Sequence, residues 1–183
     1  MGTSYLRHAR HWIRWVFETP TGENPLVDPA NCDSADRPGP VQFLPPPTDT
    51  GQTTTCSVTS TDALVVTPAG NLSWPEPGEP SDRPTLLANA TAGLADVDHM
   101  TVSVDGTRVR NLRRDFRFRD VIGSQVPADN PFELPAGQRP LAFDGYFVVL
   151  RPLPPGHHEI VLSVSFHSDG STWDLTTDLE VTE

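Results

Sequence analysis

HEIVLSVSF (His158–Phe166), the Asp169-Gly170 turn and WDLTTDLEV (Trp173–Val181) read as two strands joined by a tight turn. In the first, apolar and polar residues alternate, the pattern of a strand with one face buried and one face wet. MTVSVDGTRV (Met100–Val109) repeats the pattern around Asp105-Gly106, a dipeptide suited to the left-handed backbone of a hairpin turn. Phe116 and Phe118 alternate with Asp115, Arg117 and Arg119, which predicts Phe inward and Arg outward. YFVVLRPL (Tyr146–Leu153) follows Asp144-Gly145, read as a further turn, and Pro154-Pro155-Gly156 is another.

The first half is less regular. TTTCSV (Thr53–Val58) and ALVVTP (Ala63–Pro68) are strand candidates rich in β-branched residues. VQFL (Val41–Leu44) is a short strand stopped by Pro45-Pro46-Pro47. The Pro-rich stretch Gly70–Pro84 reads as an exposed loop, and Thr85–Ala95 as a short helix ending near Gly93. Residues 4–17 form the one strong helix signal. Tyr5, Ala9, Trp12, Ile13 and Val16 make an apolar face; Arg7, Arg10 and Arg14 make another. With its Arg side solvated, this helix lies on a β-core; a sharper alternative has it, with Trp15, docking on an acidic partner or a membrane surface.

The expected fold is all-β. It is an antiparallel β-sandwich or jelly roll of about eight short strands with one N-terminal helix. A single domain spans 1–183: the helix in 1–20, a Pro/Thr-rich segment with both cysteines in 21–60, and the main strands in 61–183. No apolar run approaches the roughly 18 residues of a membrane-spanning helix. The first 20 residues also lack a secretory signal's apolar stretch, because arginines interrupt them. The chain is therefore expected to reach its destination without such a leader, or to have lost it.

The formal charge is −11, which argues against bulk binding to nucleic acid. The chain has 13 Arg and no Lys, and 16 Asp against 8 Glu. Such a composition suits a protein in very high salt, where carboxylates hold water and ions and their repulsion is screened. A GC-rich genome is the plainer explanation for Arg over Lys. Against this background Arg108, Arg110, Arg113, Arg114, Arg117 and Arg119 form a positive island. It either docks carboxylates of a neighbouring subunit, an acidic glycan or a phosphate, or pairs locally with Asp115, Asp120 and other acids of the same chain.

Catalytic signatures are absent: there is no Gly-x-Ser-x-Gly elbow, no P-loop and no His-Glu-x-x-His pattern. His8 and His11 could share a helix face, but His157 and His158 are adjacent and would point to opposite sides of a strand. No metal or cofactor is expected. Asn71 and Asn89 match the N-glycosylation sequon, Asn71 being the better placed in its loop. Cys32 and Cys56 are either two buried thiols or one disulfide, which would stabilise by about 3 kcal/mol.

Several elements, taken in order, resemble a family of usually secreted bacterial and archaeal proteins with no established activity. They are Ser4-Tyr5, Trp12, Trp15 and Pro20, then Asn24-Pro25-Leu26-Val27-Asp28, Cys32, Gly39-Pro40-Val41-Gln42-Phe43-Leu44 and Cys56. Val104-Asp105-Gly106, Asp144-Gly145-Tyr146 and Pro152–His158 complete the set. His8 and Ile13 stand where that family usually has Trp. The resemblance implies a β-sandwich with a packed N-terminal helix and a Cys32–Cys56 bridge, and no mechanism.

These readings lead to a non-enzymatic structural protein, a capsid, decoration or spike subunit of a haloarchaeal virus particle. Its partners would be other copies of itself or other virion proteins, and it would reside in the virion. The alternative is a secreted or cell-surface β-sandwich that binds a glycan or a protein.

Overall fold

The computed structural model describes residues 3–32, 40–76 and 78–183. Two mixed sheets face each other, with one helix packed behind them. The four-stranded sheet has the order β1 (Val41–Phe43), β3 (Ala63–Ser73), β7 (Gly137–Leu150), β6 (Arg117–Val126). The five-stranded sheet has the order β2 (Gln52–Thr59), β9 (Thr172–Thr182), β8 (Gly156–Phe166), β4 (Val97–Val104), β5 (Thr107–Arg108). The helices are α1 (Thr3–Glu18), α2 (Arg83–Leu94) and the single turn α3 (Leu112–Asp115).

The expectation of purely antiparallel sheets is corrected at two places. β1 pairs β3 in parallel, and β2 pairs β9 in parallel. The chain leaves β1 for the opposite sheet, forms β2 there, and returns through the turn ending at Asp62. β1 and β3 therefore run the same way. Pro45-Pro46-Pro47 carry no amide hydrogens, so β1 cannot extend its pairing along β3.

Residues from both sheets make the inner core, among them Leu64, Val66, Tyr146, Val148, Ile160, Leu162, Leu179 and Val181. A second core lies on the far face of the four-stranded sheet. There Ala9, Trp12, Ile13, Val16 and Phe17 of α1 meet Val65, Phe118, Ile122, Phe143 and Phe147. Trp12 packs edge-on to Phe147 at 5.3 Å and donates from Nε1 to the Leu44 carbonyl at 3.2 Å. Each large side chain buried here contributes roughly 1.5–3 kcal/mol of apolar transfer. Tyr5 at the start of α1 donates to the Phe116 carbonyl, and burial pushes its phenol up to about 12.

A turn read from a dipeptide and a loop read from its prolines are also corrected. Asp144-Gly145 is no turn but the middle of β7, and Gly70–Ser73 belongs to β3 rather than to a loop. Gly145 lies opposite Gly70 in the ladder. A Cβ on Gly145 would stand 2.5 Å from the Gly70 Cα and 2.6 Å from the Phe143 ring. The glycines are needed because two backbones and a ring close on one point. Asp105-Gly106, by contrast, is the expected hairpin turn, with φ of +50° and +72°. α3 had no signal in the sequence, and Phe116 closes it rather than opening β6.

Cys32 and Cys56 form a disulfide 24 residues apart in sequence. The fully buried Gln42 donates to the Cys32 carbonyl, so β1 and the bridge hold one another. Gly145→Ala is expected to lower stability by at least about 3 kcal/mol, because the clash is with backbone that cannot move aside. Gly123→Ala, 3.6 Å from a flexible Gln138 side chain, is the matched control that leaves the melting temperature nearly unchanged.

Candidate functional site

The arginine island runs from β5 through α3 to β6, and three of its six arginines, Arg114, Arg117 and Arg119, pair with the chain's own carboxylates. Asp144 is fully buried in β7. Arg117 grips it with two nitrogens at 2.8 and 2.6 Å, and Thr91 of α2 donates its hydroxyl at 2.6 Å. Arg119 stands 3.6 Å away and also donates to the Leu87 carbonyl. Burial alone would push the Asp144 carboxyl up; the Arg117 and Thr91 hydrogen bonds outweigh it and hold the group below the usual carboxylate range.

Asp120 is treated the same way from two helices. Arg10 of α1 reaches it at 2.7 Å and Arg83 of α2 at 2.6 Å. Arg114 pairs with Asp115, and Arg113 donates to the carbonyls of Val97 and Asp98, both at 2.7 Å. Arg14 donates to the Gly123 carbonyl at 3.4 Å. Arg7, Arg108 and Arg110 have no ion pair among the described residues. Trp15 is half-buried against Phe43 and Trp12.

Asn71 lies in β3, where its amide nitrogen donates to the Ala90 carbonyl at 3.2 Å, so it does not stand in an exposed loop. Asn89 is exposed on α2. The histidines are separated as expected. His157 faces Glu180 at 2.6 Å, while His158 lies between the Asp105 carboxylate at 2.8 Å and the Pro154 carbonyl at 2.9 Å. Both acceptors favour a doubly protonated ring, so the His158 pKa is raised, first by Asp105. His8 and His11 move the other way, lowered first by burial. No group of three metal-binding side chains occurs among the described residues.

No local pattern of residues points to a cleft that opens where β1 ends. Its volume is about 290 Å³. Pro46 and Pro47 form one rim. Phe166 and Trp173 form another, their rings edge-to-face at 4.8 Å. Trp12, Leu26, Phe143, Leu94, Val97 and Val164 line it as well, together with the polar residues Thr48 and Asn71. No charged side chain lines it among the described residues. Trp173 is 38% exposed, one of two large apolar side chains exposed to that degree among the described residues. Thr67, 2% exposed, also lines the cleft; its hydroxyl oxygen is sealed from solvent and has no hydrogen-bond partner among the described residues.

No family model, curated protein or solved structure matches the chain.

Asp144→Asn is expected to destabilise by about 3 kcal/mol, because it weakens a buried pair from one side and leaves Arg117 uncompensated. Arg114→Ala, which breaks an exposed pair, should change stability by less than about 0.5 kcal/mol in the same denaturant titration. A second outcome concerns His158. Its folded pKa exceeds its unfolded value, so its stabilising contribution is complete below the unfolded pKa and lost as pH rises through the folded one. His158→Gln should remove that loss from a stability-against-pH curve measured between about pH 5 and 9.

Proposed function

We propose that the chain is a non-enzymatic binding module of the secreted or cell-surface kind. One observation carries this reading: the cleft between Pro47 and Trp173 combines a mostly apolar lining, the polar residues Thr48 and Asn71, and an exposed aromatic rim. Small-molecule sites share that composition of apolar walls and a few placed polar groups. The rim sits on two long paired strands, β8 and β9, so the frame can hold it rigid.

The arginine island supports the same choice. A docking surface for acidic partners needs charges left over after folding. Here Arg10, Arg83, Arg114, Arg117 and Arg119 already serve carboxylates of the chain itself. In this reading Arg10, Arg83, Arg117 and Arg119 lock α1 and α2 onto the four-stranded sheet, while Arg114 pairs with its neighbour Asp115.

A second reading, a subunit of a virus particle, keeps one observation in its favour. Arg7, Arg108 and Arg110 are exposed without an ion pair among the described residues. The outer face of the five-stranded sheet carries Glu159, Asp178 and Glu180. Copies of the chain could join these opposite charges. Light scattering in multimolar salt separates the two. A monomer or small oligomer is the expected result; a mass in the megadalton range would favour the particle.

A further inference from the structure

We infer that acidification releases the N-terminal half of α1, residues 3–11, from the four-stranded sheet, with His8 and His11 as the sensor. This holds whatever the cleft binds. Two ring atoms carry it. The Nδ1 atoms of His8 and His11 are both sealed from solvent, and neither has a hydrogen-bond partner among the described residues. His8 is 8% exposed and His11 is half-buried. A neutral imidazole meets this condition by keeping its hydrogen on Nε2 and leaving Nδ1 as a bare acceptor. An imidazolium cannot, because both of its nitrogens carry hydrogen. One N–H would then point into protein with nothing to accept it, at the cost of an unmade charged hydrogen bond.

The surrounding charges offer no counter-ion. Residues 3–11 hold Arg7 and Arg10 and no acid, and Arg14 follows one turn later. The strands packed against this helix are β3, β6 and β7, and β3 has no titratable side chain. On β6, Asp120 is held by Arg10 and Arg83, while Arg117 and Arg119 serve Asp144 of β7. Also on β7, Arg139 donates to the Pro135 carbonyl and Tyr146 lies in the inner core. Glu18, the one acid of α1, accepts from Ser124 and Gln125. Burial first, and then the positive charges of Arg7, Arg14 and the neighbouring ring, hold both histidines below their ordinary value.

The direction of the response follows. A released histidine returns to a pKa of about 6.5. Above that pH neither state takes up the proton, and docking does not depend on pH. Below it the released state binds more protons, so each pH unit weakens docking by up to about tenfold per histidine until the docked value is passed. The acids do not titrate in this window, because Asp120 and Asp144 are held below the usual carboxylate range. His158, whose pKa is raised, already carries its proton there.

Release stops part-way along the helix. Residues 3–11 are held by the Tyr5 hydroxyl on the Phe116 and Phe147 carbonyls, by Ala9 and by Arg10. Further on, Trp12, Ile13, Val16 and Phe17 are at most 2% exposed, and Asn24 donates to the Val16 carbonyl. That half keeps its apolar hold on the sheet whatever the charge on the histidines.

The test is amide hydrogen exchange on the full chain at about pH 7.5 and about pH 5, either side of the free histidine value, corrected for the intrinsic effect of pH. Protection of residues 3–11 should fall about ten- to hundredfold at the lower pH, while that of Leu141–Val148 stays the same. A double variant, His8→Gln with His11→Gln, is neutral at both pH values and should keep residues 3–11 equally protected at the two. If that variant does not fold, the imidazole resonances of the unaltered chain decide, and both rings should titrate below about 6.5. Four results would each overturn the inference. They are protection of residues 3–11 that ignores pH, a loss shared equally by Leu141–Val148, a folded double variant that still loses protection, and either ring titrating at or above about 6.5.

Discussion

Strand β7 meets water on neither face from Leu141 to Val148. One side of its sheet is pressed by the five-stranded sheet and α2, the other by the aromatic face of α1. Everything placed on this strand must therefore be satisfied within the protein. Apolar residues achieve this by packing, as Phe143 and Phe147 do against Trp12. Gly145 achieves it by having no side chain where Gly70 approaches. Asp144 is the one charge on the sealed strand, and its carboxylate recruits Arg117, Arg119 and Thr91. Removing any one layer would leave this strand's polar and apolar groups in the wrong solvent.

The same constraint explains where the positive charge goes. Arg117 and Arg119 emerge from β6, the strand beside β7, and face Asp144 across the ladder. Arg10 and Arg83 come from two helices and converge on Asp120. An acidic chain without lysine thus uses the planar, always charged guanidinium where a buried carboxylate needs two donors at once. The outer face of the five-stranded sheet is different. It carries Glu159 directly opposite Asp178, a like-charged pair in contact with solvent, whose repulsion salt would screen.

The cleft is a by-product of how β1 ends. Three prolines stop β1 after Phe43, and the chain crosses to the other sheet. β3 continues to Ser73 with β7 on one side and no β1 on the other, so the seam stays open between Pro47 and the Phe166–Trp173 pair. The residues around that opening are separated by up to 161 positions in sequence, from Trp12 to Trp173. None of them forms a motif with another.

Local periodicity was enough to read most of the elements. The alternation in β4, β8 and β9, the helical spacing of α1 and the hairpin at Asp105-Gly106 are properties of neighbouring residues, and they stand as expected. The same local reading misplaced Asp144-Gly145 and Gly70–Ser73. A dipeptide common in turns says nothing about a second glycine and a phenylalanine ring pressing on it from elsewhere in the chain. Nor did the residue pattern reveal the parallel pairing of β1 with β3 and of β2 with β9, since a strand alternates alike whichever way its neighbour runs. The Arg cluster was legible as charge, and local pairing was one of its two readings. Only the assembled fold brings Asp144 to Arg117 and sets Trp173 on the same cleft as Trp12. Charge and pattern are carried by single residues and short windows; partners, burial and cavities arise only when distant segments exclude water together.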